Sequence, residues 1–421
     1  MKERERRNTE GALLCSAIVL GLSAFALVWT AVLPRDPLAW LYPLAVSFAL
    51  WLAHMVLEHL ELSADELILP LIAVPLLLSI AMLYRLDRWS AFWQVIWAIL
   101  GLGSALAVVA FLPSVAGLRR WWPIFLACGL ALLATTLFFG VEVYGARSWL
   151  VVGPVRFQPS EPAKVLFSLA LAGYLAGRKE LLLVRGWRVG PLVLPHPAYF
   201  GPLVLVLLLT LILMVGQRDL GTALLIFGLF ACELYVAAPR LDYLLLGLVA
   251  LAGGGFVGYH FFDHVRARID VWLNPWSQAG GSGYQLVQSI LAVSAGGILG
   301  AGLGRGQAEL IPAVTTDLTF AAWAEETGLA GSLALIALYL ILTERGFRAA
   351  LAASDDFSSL AGIGLAGLFA LQSLVILGGA LRLIPLTGVT LPLFNYGGSS
   401  LVSTLIGFGI LLLLSAEGQA A

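Results

Sequence analysis

The chain has 421 residues, of which 60% are hydrophobic and only 12% are charged. Soluble domains carry about 25% charged residues. This sequence therefore cannot cover a water-facing surface, which excludes a soluble enzyme, a disordered protein and a coiled coil. The net charge of −1 offers no basic field that would attract nucleic acid. What remains is an all-α, polytopic membrane protein.

Twelve apolar stretches are long enough to cross a bilayer, which takes about 20 residues per helix. They cover residues 11–33, 37–60, 67–84, 91–113, 121–140, 160–177, 199–216, 220–238, 241–258, 318–343, 357–380 and 398–416. An even number of spans puts both termini on one side. With the N-terminus in the cytoplasm, slightly more lysines and arginines lie on the inner segments, as the positive-inside rule expects. The arginines on the outer segments indicate either an anionic ligand there or long loops that escape the rule.

The segment of residues 259–317 is too long for a simple connection between two spans. Within it, residues 286–299 are apolar but too few to cross the membrane, and glycines flank them on both sides. Non-helical backbone at membrane depth is tolerated only where protein or a water-filled cavity covers it. We therefore predict a re-entrant half-helix that lines a cavity.

Asp317 is the first candidate for chemistry. It follows Thr316 and precedes an apolar run that begins at Leu318, which predicts a position at the outer N-terminus of a helix. Asp and Thr are both favoured as helix caps, so a structural role stays open beside that of a general base for an attacking hydroxyl. A helix N-terminus favours the charged carboxylate, whereas an effective base titrates near the working pH. Partial desolvation or a bound cation would reconcile the two.

Two pairs of charged residues fall inside the predicted spans. Glu161 and Lys164 are three residues apart and share a helix face, so they form either a structural pin between helices or the floor of a polar cavity. Glu325 lies about 12 Å below Asp317 at 1.5 Å per residue. Glu325 and Glu326 point about 100° apart. We therefore expect at least one of the two to bond a neighbouring helix, and we assign both a structural role.

Further polar and aromatic residues lie near the outer face. Asp219 closes a short turn, and Arg266 and Arg268 either bind lipid headgroups or clamp a diphosphate. Trp149 and Tyr396 are interfacial aromatics by default. The sequence has no Ser-His-Asp arrangement, no P-loop and no histidines at metal-ligand spacing. The residues alone permit an enzyme that acts on a lipid-linked anion or a transporter for one.

Six groups of residues carry a more specific signal through their order. They are Gly145-Ala146-Arg147-Ser148-Trp149 with Val155-Arg156-Phe157-Gln158-Pro159-Ser160-Glu161; Asp219-Leu220-Gly221-Thr222; Gly283-Tyr284-Gln285 with Gln288-Ser289 and Gly296-Gly297; Thr316-Asp317 with Glu325-Glu326 and Gly328; Pro385-Leu386-Thr387-Gly388; and Tyr396-Gly397-Gly398-Ser399-Ser400. This ordered set resembles the SEDS family, the RodA, FtsW and SpoVE group of bacterial cell-wall glycan polymerases. The resemblance covers roughly residues 67–416.

The resemblance implies a ten-helix catalytic core in residues 67–421, with a long extracytoplasmic loop at 259–317. Residues 1–66 form a cytoplasmic tail and two extra transmembrane helices, which are similar to those of some RodA-type members and favour elongation over division. The implied activity is an inverting peptidoglycan glycosyltransferase that joins lipid II units at the outer face of the bacterial plasma membrane, with both termini cytoplasmic. Asp317 matches the family's catalytic aspartate and would deprotonate the acceptor's sugar hydroxyl.

The matching segments also supply candidates for binding the lipid-linked substrate, with Arg156, Arg266 and Arg268 first for its diphosphate. The full set is Arg147, Trp149, Arg156, Gln158, Glu161, Lys164, Asp219, Arg266, Arg268, Tyr284, Gln285, Gln288, Thr316, Arg382, Tyr396, Ser399 and Ser400. A divalent cation, Mg²⁺ or Mn²⁺, is compatible with such a diphosphate, although no ligand cluster in the sequence demands one.

The implied partners are lipid II, the lipid-linked nascent glycan and a class B penicillin-binding protein, which cross-links the product. Two alternatives are a lipid II flippase and a scaffold that only recruits the penicillin-binding protein. A transporter needs a path open alternately to both sides, whereas the candidate polar residues concentrate at the outer ends of the spans. This distribution favours the enzyme.

Overall fold

The structure is a computed structural model that describes residues 2–143, 145–153, 155–183, 185–189 and 192–420. Its helices are α1 (Lys2–Ala31), α2 (Leu41–His59), α3 (Ile68–Leu86), α4 (Arg88–Phe111), α5 (Trp122–Phe139), α6 (Ser160–Ala176), α7 (Lys179–Leu183), α8 (Pro197–Gly216), α9 (Leu220–Ala237), α10 (Leu241–Phe261), α11 (Asp263–Leu273), α12 (Tyr284–Ala295), α13 (Thr319–Leu351), α14 (Asp356–Ala380) and α15 (Gly398–Ala420). Its strands are β1 (Val141–Val143), β2 (Ala146–Val152), β3 (Val155–Phe157), β4 (Arg185–Val189) and β5 (Leu192–Pro195).

The predicted membrane spans correspond to long helices. Within the described residues, eleven helical segments have the length and apolar composition to cross a membrane. The twelfth predicted span, residues 160–177, is α6, whose 17 residues are at the short end of the range for a crossing helix. The chain is therefore a multi-pass membrane protein with an all-α core.

The helices differ greatly in how much neighbouring protein surrounds them. α3, α14 and α15 are largely buried, whereas α10 is almost entirely exposed. α15 packs closely along α4, because Gly409 places its backbone against the carbonyl of Ala105. The two N-terminal helices, α1 and α2, pack on α3 and α4. Each long helix thus presents a broad apolar surface either to other helices or to lipid.

Two small sheets accompany the helices, and the sequence analysis did not predict them. β1, β2 and β3 form an antiparallel sheet between α5 and α6, with Leu150 opposite Phe157 and Val152 opposite Val155. β4 and β5 form a hairpin between α7 and α8. The first sheet carries three of the candidate residues, Arg147, Trp149 and Arg156, on one rigid element next to the start of α6.

The predicted re-entrant half-helix is α12, and its end fits into a break in α13. At Gly328 the backbone of α13 has φ 67° and ψ −164°, so the helix kinks there. The turn that follows α12 meets this kink with four backbone hydrogen bonds: Ala301 N to Glu325 O, Gly302 N to Glu326 O, Leu329 N to Gly297 O and Ala330 N to Ile298 O. These bonds satisfy the groups that the broken helix leaves free, as backbone at membrane depth requires. The chain then returns to reach Asp317.

Gly328→Ala tests this arrangement. The backbone conformation at Gly328 is almost exclusive to glycine, and a Cβ there would lie 2.4 Å from Gly300 N. We expect the substitution to lower stability by about 2 kcal/mol or more, measured as a lower midpoint of thermal unfolding in detergent.

Gly103→Ala is the matched control. Gly103 lies in α4, and a Cβ there meets nothing within 4 Å, so alanine should leave stability unchanged or raise it slightly. Equal midpoints for the two variants would contradict the role given to Gly328.

Candidate active site

Asp317 is not a helix cap. α13 begins at Thr319, its N-cap position is occupied by Leu318, and no side-chain hydrogen bond caps it. Instead the hydroxyl of Thr319 donates to the carbonyls of Val314 and Thr315. The Asp317 side chain is half-buried and retains contact with solvent. The structural alternative for this residue is therefore wrong, and its carboxylate is available for another function.

The segment before Asp317 is fixed by a loop that lies about 80 residues later in the sequence. Tyr396 N donates to Thr315 O at 2.8 Å, and Asn395 Nδ2 donates to Thr316 O at 2.6 Å. The carbonyl of Asn395 in turn accepts from Gln94 of α4 at 3.2 Å. These bonds hold the backbone of the candidate site between α4 and α15.

Arg268 is the arginine that the fold brings to Asp317. It lies on α11 and donates to the carbonyls of Leu386 and Thr387 at 3.3 and 2.9 Å. Gly388 follows with φ +75° and no side chain, and a Cβ there would lie 3.7 Å from Asp317 Oδ2 and 3.9 Å from Arg268 Nη2. The glycine thus keeps open the space that the carboxylate and the guanidinium share.

The surroundings of Asp317 change its proton affinity. Burial raises the pKa of the carboxyl above its ordinary value, while the hydroxyl of Thr316 and the charge of Arg268 oppose the rise. Desolvation of a carboxyl disfavours its charged form. Asp317 is therefore a better proton acceptor than an exposed aspartate, which is one of the two ways in which the sequence analysis reconciled a base with this position.

Arg266 and Arg268 do not converge on one point. They are two residues apart on a helix, so their side chains leave α11 in nearly opposite directions. Arg266 donates to the carbonyls of Tyr259 and His260 at the end of α10, both at 3.1 Å. A clamp made by both arginines together is not formed in this conformation, whereas Arg268 remains next to Asp317.

The other candidate arginines are held by the backbone or face solvent. Arg382 donates to the carbonyls of Trp272 and Leu273, which ties the loop after α14 to α11. Arg147 donates from Nε to Gly140 O at 2.7 Å. Arg156 is exposed on β3 and opposes the rise in the pKa of Tyr396 that burial causes.

Two candidate groups join the sheet of β1, β2 and β3 to the ends of helices. The backbone N–H of Gln158 donates to Ser399 Oγ at 2.9 Å, and its amide donates to Asp219 Oδ2 at 3.3 Å. Asp219 also accepts from the backbone N–H and hydroxyl of Thr222, so it caps α9. Asp219, Gln158 and Ser399 thus fix the positions of α9, β3 and α15 around the site.

The half-helix α12 presents its first turn to the same region. Gln285 donates to the carbonyl of Pro312 at 3.4 Å, on the loop that leads to Asp317. Tyr284 is exposed and Gln288 is half-buried. Trp149 is half-buried on β2, opposite Val141.

The comparisons with known proteins agree with this geometry. Residues 60–420 match the family described as cell cycle protein, which groups FtsW, RodA and SpoVE. The chain belongs to this family. The match covers the sheet of β1, β2 and β3, the half-helix, the break in α13 and the loop that fixes Asp317.

Individual relatives match most of the chain. The peptidoglycan glycosyltransferase RodA of Mycobacterium tuberculosis H37Rv is 35% identical over 426 residues, which cover 97% of this chain and 90% of that protein. The probable peptidoglycan glycosyltransferase FtsW of Thiomicrospira cyclica is 35% identical over 336 residues, which cover 78% and 83%. The chain also superposes on a solved structure with a TM-score of 0.71 at 31% identity, which covers 85% of this chain and 99% of that one. That structure is described as the structural coordination of polymerization and crosslinking by a peptidoglycan synthase complex. The predicted family, fold and glycosyltransferase class are confirmed.

Beneath the site of this FtsW, RodA and SpoVE family member lies a buried ion pair. Lys164 Nζ is 2.9 Å from Glu161 Oε2, and the two side chains are 1% and 5% exposed. Lys164 also donates to Gln372 at 2.7 Å, and Gln372 donates to the carbonyl of Thr390 and the hydroxyl of Ser400. The pair therefore pins α6 to α14 and to the end of the loop that fixes Asp317.

The cavity beside this pair is small. It measures about 30 Å³, which holds one or two water molecules and no sugar. Glu161 and Lys164 thus act as the structural pin between helices, and the small cavity that they help to line is otherwise mostly apolar, with Leu365, Phe369 and Phe408 in its wall.

Glu325 and Glu326 have the structural role that the sequence analysis gave them. Glu325 accepts from the backbone N–H of Gln307 at 2.9 Å, and Glu326 accepts from that of Gly304 at 2.7 Å. Arg85 of α3 lies 3.6 Å from Glu326. Both carboxylates therefore hold the segment of the re-entrant loop that contains Gly304 and Gln307, and they do not face a substrate site.

Several residues around the site were missed from the sequence. Asn395 and Gln372 each connect two candidate segments, and Gly388 keeps the space beside Asp317 open. Gln372 places an amide within an otherwise mostly apolar span, which is a usable signal for a buried contact. Glu233, buried in α9 and bonded to Ser168 at 2.8 Å, carries the same signal.

Lys164→Met tests the buried pair. It leaves the carboxylate of Glu161 buried without its cation, and breaking a buried ion pair costs about 3–5 kcal/mol. We expect a lower midpoint of thermal unfolding in detergent. The double variant Lys164→Met with Glu161→Leu removes both charges and should recover much of the loss.

Lys179→Met is the control, because Lys179 pairs with Asp356 at the exposed end of α14 and exposed pairs contribute at most about 1 kcal/mol. If the double variant unfolded at the same temperature as the single Lys164 variant, the pairing would not be what stabilises this region.

Proposed function

We propose that this chain polymerises peptidoglycan glycan strands from lipid II, with Asp317 as the general base. The observation that carries the proposal is a carboxylate that caps no helix, has a pKa raised by burial and lies beside Arg268 across the open space at Gly388. Its family relatives bear the name peptidoglycan glycosyltransferase. Sugar transfer from a lipid diphosphate uses a base for the acceptor hydroxyl and a cation for the leaving diphosphate, and Asp317 and Arg268 are suited to these two tasks.

In the proposed reaction, Asp317 takes the proton from a hydroxyl of the acceptor sugar. The oxygen attacks the anomeric carbon of the donor sugar from the face opposite the leaving group, so the configuration inverts. The bond from that carbon to the diphosphate oxygen breaks, and the lipid diphosphate leaves with the electron pair. Arg268 supplies positive charge next to the base, where preorganised cations stabilise the charge that develops on phosphate oxygens.

A divalent cation is compatible with this site. Mg²⁺ is commonly held by one or two carboxylates together with substrate phosphates, and Asp317 is the carboxylate that would contribute. In the described part of the chain no three His, Cys, Asp or Glu side chains gather into a metal cluster. The diphosphate of the substrate, and not the protein, would therefore supply most of the cation's remaining ligands. When bound, the cation would neutralise charge on the leaving diphosphate.

We further propose that the Asp317 end of the bundle is extracytoplasmic and that both termini are cytoplasmic. Arg119, Arg120, Arg178, Arg345 and Arg348 all lie at the opposite end, among the ends of α4, α5, α6, α13 and α14. The Asp317 end also carries arginines, and the opposite end has only a slight excess of lysines and arginines, which is the direction that the positive-inside rule expects for the cytoplasmic side. This orientation gives the site access to lipid-linked saccharides on the outer leaflet.

We propose cell elongation as the biological role of this chain and a class B penicillin-binding protein as its partner. The match to the mycobacterial RodA covers 97% of the chain and so includes α1 and α2, whereas the match to FtsW covers 78%. The synthase complex named for polymerization and crosslinking supports a partner that cross-links. A flippase is less well supported, because the interior below the site is closed by the Glu161–Lys164 pair and a cavity of only about 30 Å³.

Asp317→Asn tests the base. The amide keeps the size of the side chain but cannot accept the proton, so we expect glycan polymerisation from lipid II to fall by about 10²–10⁴-fold while the thermal midpoint is retained. The assay uses the purified chain with its penicillin-binding protein. Asp263→Asn, an exposed aspartate on α11, is the matched control and should retain activity. Full activity in Asp317→Asn would falsify the proposal.

The pH profile tests the pairing with Arg268. A base must be deprotonated, so kcat/KM falls as pH drops through the pKa of Asp317, and burial places this acidic limb above that of an ordinary aspartate. Because Arg268 lowers this pKa, Arg268→Gln should raise it and move the limb to higher pH. Arg266→Gln, which contacts α10 instead, should leave the limb where it is. If the acidic limb did not move in Arg268→Gln, Arg268 would have no influence on the pKa of Asp317.

A further inference from the structure

An open basic cup lies at the end of the bundle opposite Asp317. It has a volume of about 590 Å³ and sits between the turn of residues 115–121 and the C-terminal end of α6. Arg119, Arg120 and Arg178 line it together with Trp122. None of the substrate-binding candidates lies there, so the proposed reaction does not use this cup.

The three guanidinium groups have no acidic partner within salt-bridge distance in the described part of the chain. Arg178 stacks over the rings of Tyr174 and Trp122 at 4.1 and 5.8 Å, and Arg120 stacks over Trp121 at 5.3 Å. Glu417 accepts from Val115 N, and Glu180 is exposed on α7. The cup therefore carries an uncompensated positive charge.

Glycines keep the cup empty. Gly117, Gly173 and Gly177 all line it. A Cβ at Gly173 would lie 2.4 Å from Trp122 Cβ, and one at Gly177 would lie 3.4 Å from Arg119 Nη2. The absence of a side chain at Gly173 lets Trp122 pack closely against α6, and the glycines leave open space between the arginines.

An apolar groove adjoins the cup at Trp122. It has a volume of about 110 Å³ and runs between α5, α6, α8 and α9. Trp122 lines both the cup and the groove, and Phe167, Val206 and Phe230 line the far part of the groove. Phe167 lies nine residues before the end of α6, which is about 14 Å of helix at 1.5 Å per residue. The groove therefore reaches about half-way through a hydrocarbon core of about 30 Å.

We propose that the cup and groove bind one anionic phospholipid of the leaflet opposite the active site. The arginines hold its phosphate, because one guanidinium group binds two phosphate oxygens through parallel hydrogen bonds. Part of one acyl chain lies in the groove. Basic pockets between transmembrane helices are suited to anionic headgroups, and the apolar extension distinguishes a lipid from a free phosphate. The inference is independent of the reaction proposed for Asp317.

The test is native mass spectrometry of the full chain in detergent with equal amounts of dioleoyl-phosphatidylglycerol and dioleoyl-phosphatidylcholine. We expect the wild-type chain to retain the anionic lipid roughly tenfold more than the zwitterionic one. Arg119→Gln with Arg120→Gln should remove most of this preference, because both residues are exposed and line the cup. Equal retention of the two lipids by the wild-type chain would overturn the proposal.

The matched control removes two arginines from the same end of the bundle outside the cup. Arg6→Gln with Arg348→Gln changes the net charge equally and should keep the tenfold preference. If this control lost as much preference as the cup variant, the lipid would be held by the general charge of that end, and the specific site would be refuted.

A third comparison separates a lipid from a phosphate ion. Val206→Trp narrows the groove, so it should weaken retention of the dioleoyl lipid more than that of dihexanoyl-phosphatidylglycerol, whose short chains do not need the groove. Inorganic phosphate at millimolar concentration should not displace the dioleoyl lipid. Displacement by phosphate, together with no effect of Val206→Trp, would show a phosphate site without a lipid chain.

Discussion

The candidate site depends on two hydrogen bonds that reach across the sequence, from Tyr396 to Thr315 and from Asn395 to Thr316. Asp317 is not positioned by the helix that follows it, because that helix begins two residues later and has its own polar contacts. The carboxylate therefore keeps its solvent access and its raised pKa only while the loop before α15 stays in place. The buried contacts of Gln94 and Gln372 serve to hold that loop.

Much of the architecture follows from hydropathy and glycine placement alone. The twelve apolar stretches are helices in the structure, and the short apolar run between glycines is the re-entrant half-helix, because each follows from the cost of leaving backbone groups unpaired in lipid. Asp317 was identifiable because ionisable residues near spans are rare. Its partner Arg268 is one of several arginines, and no sequence feature favours it over Arg266.

Local sequence does not reveal the direction in which side chains point or which residues far apart in the chain contact one another. The sequence predicts that Arg266 and Arg268 either bind lipid headgroups or clamp a diphosphate together. On α11 they point apart, and only one reaches the site. The sheet of β1, β2 and β3 was missed because its strands are only three to seven residues long, too short for an alternating pattern to be distinguished from a loop. Gln372 and Asn395 act through partners far away in the chain, which no local spacing reveals.

The break at Gly328 has a mechanical consequence. A continuous helix transmits rotation along its axis, so one inserted residue would turn everything beyond it by about 100°. In α13 the short segment of residues 319–327 ends in the carbonyls of Glu325 and Glu326, which accept from the half-helix turn. Across the break, the indole of Trp323 donates to the carbonyl of Gly331. The short segment next to Asp317 is thereby joined to the long one by a side-chain bond in place of a continuous backbone ladder, so a twist of the long segment is not carried through backbone hydrogen bonds to the carboxylate.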